Sequence, residues 1–214
     1  MSLQIDTFEL PPIGTNAFLV RRSGSTGAVV VDAPLNAFAT VERILVREGL
    51  RLEALLLTHG HWDHILDAHR FNAFGTTVYG NEGDRALFET PELMRSFSIP
   101  ALEMNPVTID RWLEDGDELK LLGTRVEVRA VPGHAPGSLL FYFPNEGVAF
   151  SGDAIFRGSI GRYDLPLGDF PTLERSIRER IYTLPEETVL YPGHGPATTV
   201  GEEMRSNPFV RAIG

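Results

Sequence analysis

The stretch Thr58-His59-Gly60-His61-Trp62-Asp63-His64 decides how this chain is read. It follows Ala54-Leu55-Leu56-Leu57, an apolar run with the length and composition of a buried strand. Four side chains able to hold a metal ion fall within six positions, and no single regular element presents them together. On a strand His59, His61 and Asp63 share one face while His64 opposes them, and on a helix no face holds all four. They are therefore expected to fan out from a tight loop. Gly60 permits the bend, and Asp63-His64 opens a helix running through about 65–71. Imidazole pairs two positions apart suit one ion, and the Asp-His pair suits a second. Neutral imidazole nitrogen and carboxylate oxygen serve zinc, iron or manganese, so the pattern names a class of site and leaves the metal open.

Working outward, five of the six histidines fall in such settings. His134 sits in Pro132-Gly133-His134-Ala135-Pro136-Gly137-Ser138, and His194 in Pro192-Gly193-His194-Gly195-Pro196. Ser151-Gly152-Asp153 adds a carboxylate after the apolar run Val148-Ala149-Phe150. Strand-like segments are expected at about 3–9, 16–22 and 27–32. Leu35, Phe38, Val41, Ile44 and Leu45 then recur at helical spacing, Gly49 stops that helix, and a strand at 53–57 completes a β-α-β unit. A short strand is expected at 76–79, followed by a less regular stretch to about 110. Further strands are expected near 118–122 and 125–131. A hairpin is expected around 144–147. Phe170, Leu173, Ile177, Ile181 and Leu184 form one long helical stripe between Pro171 and Pro185, and Val189-Leu190-Tyr191 delivers His194. Each cluster thus follows a strand, which gathers distant positions at one sheet edge.

The 214 residues, 43% of them hydrophobic, suit one domain spanning 1–214 with a substantial core. A net charge of −10 argues against a nucleic-acid partner. Met1-Ser2-Leu3-Gln4-Ile5-Asp6 lacks a basic region followed by an apolar one, and no apolar run is long enough to span a bilayer, so a soluble cytoplasmic protein without a membrane partner is expected. The absence of cysteine excludes disulfides, thiol nucleophiles and thiolate metal sites. Oligomeric state is not legible.

The pattern His-x-His-x-Asp-His at 59–64, with His134, Asp153 and His194 in glycine-proline settings, resembles the metallo-β-lactamase superfamily across nearly the whole chain. That resemblance implies an α/β (α+β) fold, a four-layer αββα sandwich. The segment after Asp153, from Ile155 to Asp164, looks like the glyoxalase II (hydroxyacylglutathione hydrolase) branch in its short single-domain form, as do Arg111-Trp112-Leu113 and Asn207-Pro208-Phe209. By position, the resemblance implies one metal site from His59, His61 and His134 and another from Asp63, His64 and His194. Asp153 bridges the two.

The implied cofactors are two divalent ions, zinc first with iron or manganese as options. The implied chemistry is hydrolysis of a small-molecule thioester of the S-lactoylglutathione type by a metal-bridging hydroxide, with Asp63 as the catalytic carboxylate. Arg162 matches the family's basic substrate contact, whereas the tyrosines expected two positions after it and two after the last histidine are Asp164 and Pro196 here. Two activities of the same fold stand as alternatives. One is a persulfide dioxygenase using one iron on His59, His134 and Asp153, and the other is a lactonase.

Plainer readings apply elsewhere. His69 is read as an ordinary polar residue and Asp32 as a turn former. Phe88, Met94, Phe97 and Met104 are read as core in preference to a substrate entrance, and Arg162 serves equally as a substrate anchor or a structural ion pair.

Overall fold

The computed structural model describes residues 3–211; Met1 and Ser2 of the leader reading lie outside them. In chain order its first half runs β1 (Leu3–Leu10), β2 (Thr15–Arg22), β3 (Gly27–Val31), α1 (Ala37–Glu48), β4 (Arg51–Leu56), α2 (Trp62–Ile65), α3 (Ala68–Phe74), β5 (Val78–Gly80), α4 (Arg85–Glu89) and β6 (Arg111–Trp112). Then come β7 (Glu118–Leu121), β8 (Thr124–Ala130), β9 (Leu139–Phe143), β10 (Val148–Gly152), β11 (Ile155–Phe156), β12 (Ser159–Ile160), α5 (Phe170–Ser176), β13 (Val189–Pro192), β14 (Thr198–Thr199) and α6 (Val200–Ser206). Two six-stranded sheets result, ordered β1-β2-β3-β4-β5-β6 and β14-β13-β10-β9-β8-β7, beside the small β11-β12 hairpin.

The layers follow from side-chain alternation. In β2, Phe18 and Val20 point between the sheets and meet Val126, Val128, Phe141 and Phe150 of the second sheet. Ala17 and Leu19 face the other way and pack with Val41 and Leu45 of α1 and Phe71 of α3. In the second sheet Leu140, Tyr142 and Leu190 pack against Leu173, Ile177, Ile181 and Val200. Strands buried on both faces need apolar residues at every position, which is why β3 and β9 read as unbroken hydrophobic runs. The sequence therefore places helix, sheet, sheet and helix in four layers, as the resemblance implies.

Two local expectations change. The long stripe after Phe170 is not one α-helix. After α5, capped by the Asp169 side chain accepting from the Thr172 amide, the chain widens into a π-helical turn over Ile177–Ile181, with Tyr182 N donating to Ile177 O at 2.8 Å. The wider turn keeps Ile177 and Ile181 on the buried face, so the apolar spacing is satisfied by either helix type.

The four residues weighed as core or entrance also divide. Phe88, Met94 and Met104 are buried, while Phe97 is 44% exposed. No helix among the described residues is long and apolar enough to cross a membrane.

Strand direction positions the site. β10 and β13 are parallel, and β8 runs with β10 because each is antiparallel to β9. Their C-terminal ends share one edge. Backbone bonds from Leu139 N to Thr58 O (2.7 Å) and from Asn16 N to Gly193 O (2.7 Å) tie that edge to the first sheet, where β4 ends.

Candidate metal centre

All seven sequence-predicted metal-site residues meet at this edge, each from a loop or short helix that follows a strand. β4 leads to His59 and His61, and α2 carries Asp63 and His64. Beyond β8 comes His134, beyond β10 Asp153, and beyond β13 His194. Their ligand atoms form three groups, each within 4.8 Å: His59 with His61 and His134, Asp63 with His64 and His194, and His59 with His64 and Asp153. Asp153 reaches across both halves, with Oδ1 3.3 Å from His64 Nε2 and Oδ2 3.5 Å from both His134 Nε2 and His194 Nε2. His69 stays apart, its Nδ1 at 3.0 Å from Leu66 O.

The outer partners of the rings fix their tautomers. His134 Nδ1 donates to Arg162 O at 2.7 Å and His194 Nδ1 to Gly14 O at 3.2 Å. His64 Nδ1 donates to Asp32 Oδ2 at 2.8 Å. Thr58 Oγ1 also donates to Asp32 Oδ2 (2.8 Å), so its oxygen is left to accept from His59 Nδ1 at 3.1 Å. Four rings thus turn Nε2 inward, the arrangement by which outer carboxylates and carbonyls prepare imidazole for a metal. His61 approaches through Nδ1, 2.8 Å from His134 Nε2.

Asp32 is a correction to the sequence reading. It is fully buried, adopts φ 59°, and also accepts from Thr58 N at 2.8 Å. It is the carboxylate behind two of the histidines, and the parallel pairing Val31↔Leu56 is what sets it beside Thr58. The role was readable only from that pairing.

Two further residues had no assigned role in the sequence. Thr15 Oγ1 donates to Asp63 Oδ2 at 2.7 Å. Buried Asp84 accepts from Gly60 N (2.8 Å) and Gly137 N (2.7 Å), stapling the first histidine loop to the His134 loop. Burial pushes its carboxyl pKa up against those two N–H groups. Gly60 serves space more than bending, because a Cβ there would lie 2.8 Å from Leu87 Cβ.

Burial and mutual charge divide the titrating groups. Burial, with His64 and His61 close by, holds His59 well below the usual histidine range, and burial with His134 brings His61 down to about 3. For His64 the effect of burial is outweighed by Asp63, Asp153 and Asp32, which raise its pKa well above the usual histidine range. Burial opposes ionisation of Asp153 and Asp63 as well, yet His64 and His194, with His134 also acting on Asp153, keep both pKa values low. Carboxylates crowded around one buried imidazole make a site that favours positive charge. The polar atoms themselves fit an ion: His64 Nε2 and Asp153 Oδ1 are buried without a hydrogen-bond partner among the described residues.

Gly193 supplies the room for this. A Cβ there would fall 2.2 Å from Asp153 Oδ1 and 2.6 Å from His64 Cε1. Gly193→Ala is expected to displace both groups and lower turnover about 10²-fold, the scale of an ångström of misplacement, while circular dichroism stays unchanged.

The cluster floors a cavity of about 220 Å³. Its walls include Trp62, Met94, Phe97, Phe156 and Ile160, so Met94 and Phe97 do line an entrance. Arg162 also borders it, its fork engaged by Asp164 at 2.9 and 3.1 Å.

The family model of the metallo-beta-lactamase superfamily matches residues 10–194. The chain belongs to that superfamily. Among its relatives, hydroxyacylglutathione hydrolase GloC of Haemophilus influenzae is 41% identical over 86% of this chain and 88% of its own. A probable metallo-hydrolase of Bacillus subtilis, YqgX, is 34% identical over 94% and 95%. Among solved structures, the BLEG-1 B3 metallo-beta-lactamase superposes with a TM-score of 0.88 at 37% identity, covering 97% of this chain and 99% of its own. TTHA1623 in a di-iron-bound form gives 0.83 at 38%, covering 96% and 100%. This superfamily member is a metallo-hydrolase whose His/Asp clusters can hold metal ions.

Proposed function

We propose that the protein is a cytoplasmic dinuclear hydrolase of thioesters of the S-lactoylglutathione type. The observation that carries this reading is the pair of His/Asp groups joined by Asp153 on the floor of one cavity. His59, His61 and His134 would hold one divalent ion, Asp63, His64 and His194 the other, and zinc suits this nitrogen-and-oxygen donor set. A bound pair of divalent cations supplies an acidified water and an electrophile for a carbonyl oxygen. The residues do the rest. Asp63 lines the cavity, is anchored by Thr15 and is kept ionised by His64 and His194, so its carboxylate can take the proton lost as water adds to the acyl carbon. Asp32, Thr58 and Arg162 O hold the rings around it. The C–S bond then breaks and the sulfur leaves as thiolate. With a thiol pKa of about 8–9, that departure needs no acid, and the cavity walls offer none beyond the cluster itself.

The relative named hydroxyacylglutathione hydrolase makes S-lactoylglutathione the reference substrate. Anaerobic purification with metal quantification, followed by parallel thioester, lactone, β-lactam and glutathione persulfide assays, tests the reading. Expected are two metal equivalents per chain and thioester turnover that a chelator abolishes and added zinc restores. A single iron with oxygen consumption on the persulfide would overturn it.

A further inference from the structure

The cavity that opens onto the cluster is poorly matched to a charged thiol carrier. At about 220 Å³ it lies below the ~300–1,000 Å³ of sites that enclose drug-sized ligands, so it holds one arm of a substrate and not a whole tripeptide conjugate. Apart from the five cluster residues that border it, His61, Asp63, His134, Asp153 and His194, its lining is apolar but for Arg162. The wall carrying Trp62 and Met94 is fixed from behind by Leu66 and Met104, a small core of its own. That wall is preorganised. Phe97, 44% exposed, and Ile13, 50% exposed, continue the apolar surface to the mouth, where solvent-facing side chains of this kind are costly unless something covers them.

Among the described residues that line the cavity, Arg162 is the one with a cationic side chain outside the cluster, and it is already matched. Arg162 Nε and Nη2 meet both oxygens of Asp164, a bidentate pairing that uses the fork a substrate carboxylate would need. Both side chains are about two-thirds exposed, so the pair adds little stability, but it cancels the local positive charge. Glutathione carries a net negative charge at neutral pH and would meet Asp164 on entry.

Resting on the thioester part of that reading and replacing glutathione as the favoured carrier, we propose that the site takes thioesters whose arm beyond the reacting carbonyl is apolar and uncharged, such as an aryl or alkyl thiol, and that Asp164 sets it against anionic carriers. Phe97 is the positioning surface for that arm. The metal-loaded enzyme should hydrolyse the lactoyl thioester of benzyl mercaptan with kcat/KM roughly tenfold above that for S-lactoylglutathione, the difference lying in KM. Phe97→Ala, at a half-exposed position, should remove most of that preference by raising KM for the benzyl thioester. Asp164→Asn should lower KM for S-lactoylglutathione about three- to tenfold, an effect that shrinks at high salt, and should change the benzyl thioester far less.

Calorimetric binding of two non-hydrolysable thioethers, a benzyl thioether of an uncharged thiol and S-methylglutathione, gives the same comparison without turnover. A preference for S-lactoylglutathione, unchanged by Asp164→Asn, would overturn the inference and leave the thioester reading standing. Selective binding of the benzyl thioether by an enzyme that turns over no thioester would do the reverse.

Discussion

Asp153→Ala is expected to abolish turnover, lowering kcat by at least about 10³-fold, because loss of a residue that only supports a metal ligand already costs about 10–100-fold. Asp153 is the carboxylate that faces both halves of the cluster. Its Oδ1 faces His64 and its Oδ2 faces His134 and His194, which leave three rings without their shared carboxylate when it is removed. Metal quantification should show fewer than two equivalents per chain after dialysis, and far-UV circular dichroism should be unchanged, since β10 and β13 pair through their backbones up to Gly152 and Pro192. Retention of both metal equivalents and of activity would remove Asp153 from the chemistry.

Asp32→Ala combines the second-largest loss of activity with the largest loss of stability. Thr58 N, Thr58 Oγ1 and His64 Nδ1 all donate to this one buried carboxylate, and each would be stranded. Removing one partner of such a buried polar set costs about 3–5 kcal/mol. Alanine also tolerates φ near +60° poorly, adding roughly 1 kcal/mol of backbone strain. Metal affinity should fall about 10–100-fold as His59 and His64 lose their fixed tautomers. Asp32→Asn separates these effects: asparagine accepts the left-handed backbone but turns a donor towards groups that are themselves donors. It should recover part of the thermal stability lost in Asp32→Ala without recovering metal affinity, read by denaturant melts and competition with a chromophoric chelator. Equal affinity in Asp32→Asn and the parent would show that the carboxylate does not orient the rings.

These two residues differ in how they announced themselves. Asp153 stands directly after an apolar strand in a Ser-Gly-Asp setting, and local composition marks it. Asp32 stands after Val29-Val30-Val31 in just the same way, yet a carboxylate at a strand end is also the commonest way to begin a turn. What separates the two is the neighbouring strand. Asp32 reaches Thr58 because β3 and β4 lie parallel in register, and no periodicity within either segment carries that information. Asp84 was invisible for a related reason: the amides it binds, of Gly60 and Gly137, belong to two loops 77 residues apart that only the folded chain brings together. The widened turn at Ile177–Ile181 was hidden differently, since α- and π-helical turns bury nearly the same apolar residues.

The sequence alone marked the strands, the helical stripes and the candidate ligands, and its resemblance to the metallo-β-lactamase superfamily implied the layered fold and the meeting of those ligands. Strands buried on both faces must be apolar throughout, helices packed on them must show one stripe, and metal-ligating side chains crowded at strand ends have few other uses, so each leaves a local signature. Tertiary structure alone decided which nitrogen of each ring faces inward, which carboxylate stands behind which histidine, and that Arg162 beside the cavity is already paired with Asp164. Those properties belong to distances between segments far apart in the chain, and the physics of hydrogen bonding and desolvation acts on such distances, not on order along the sequence.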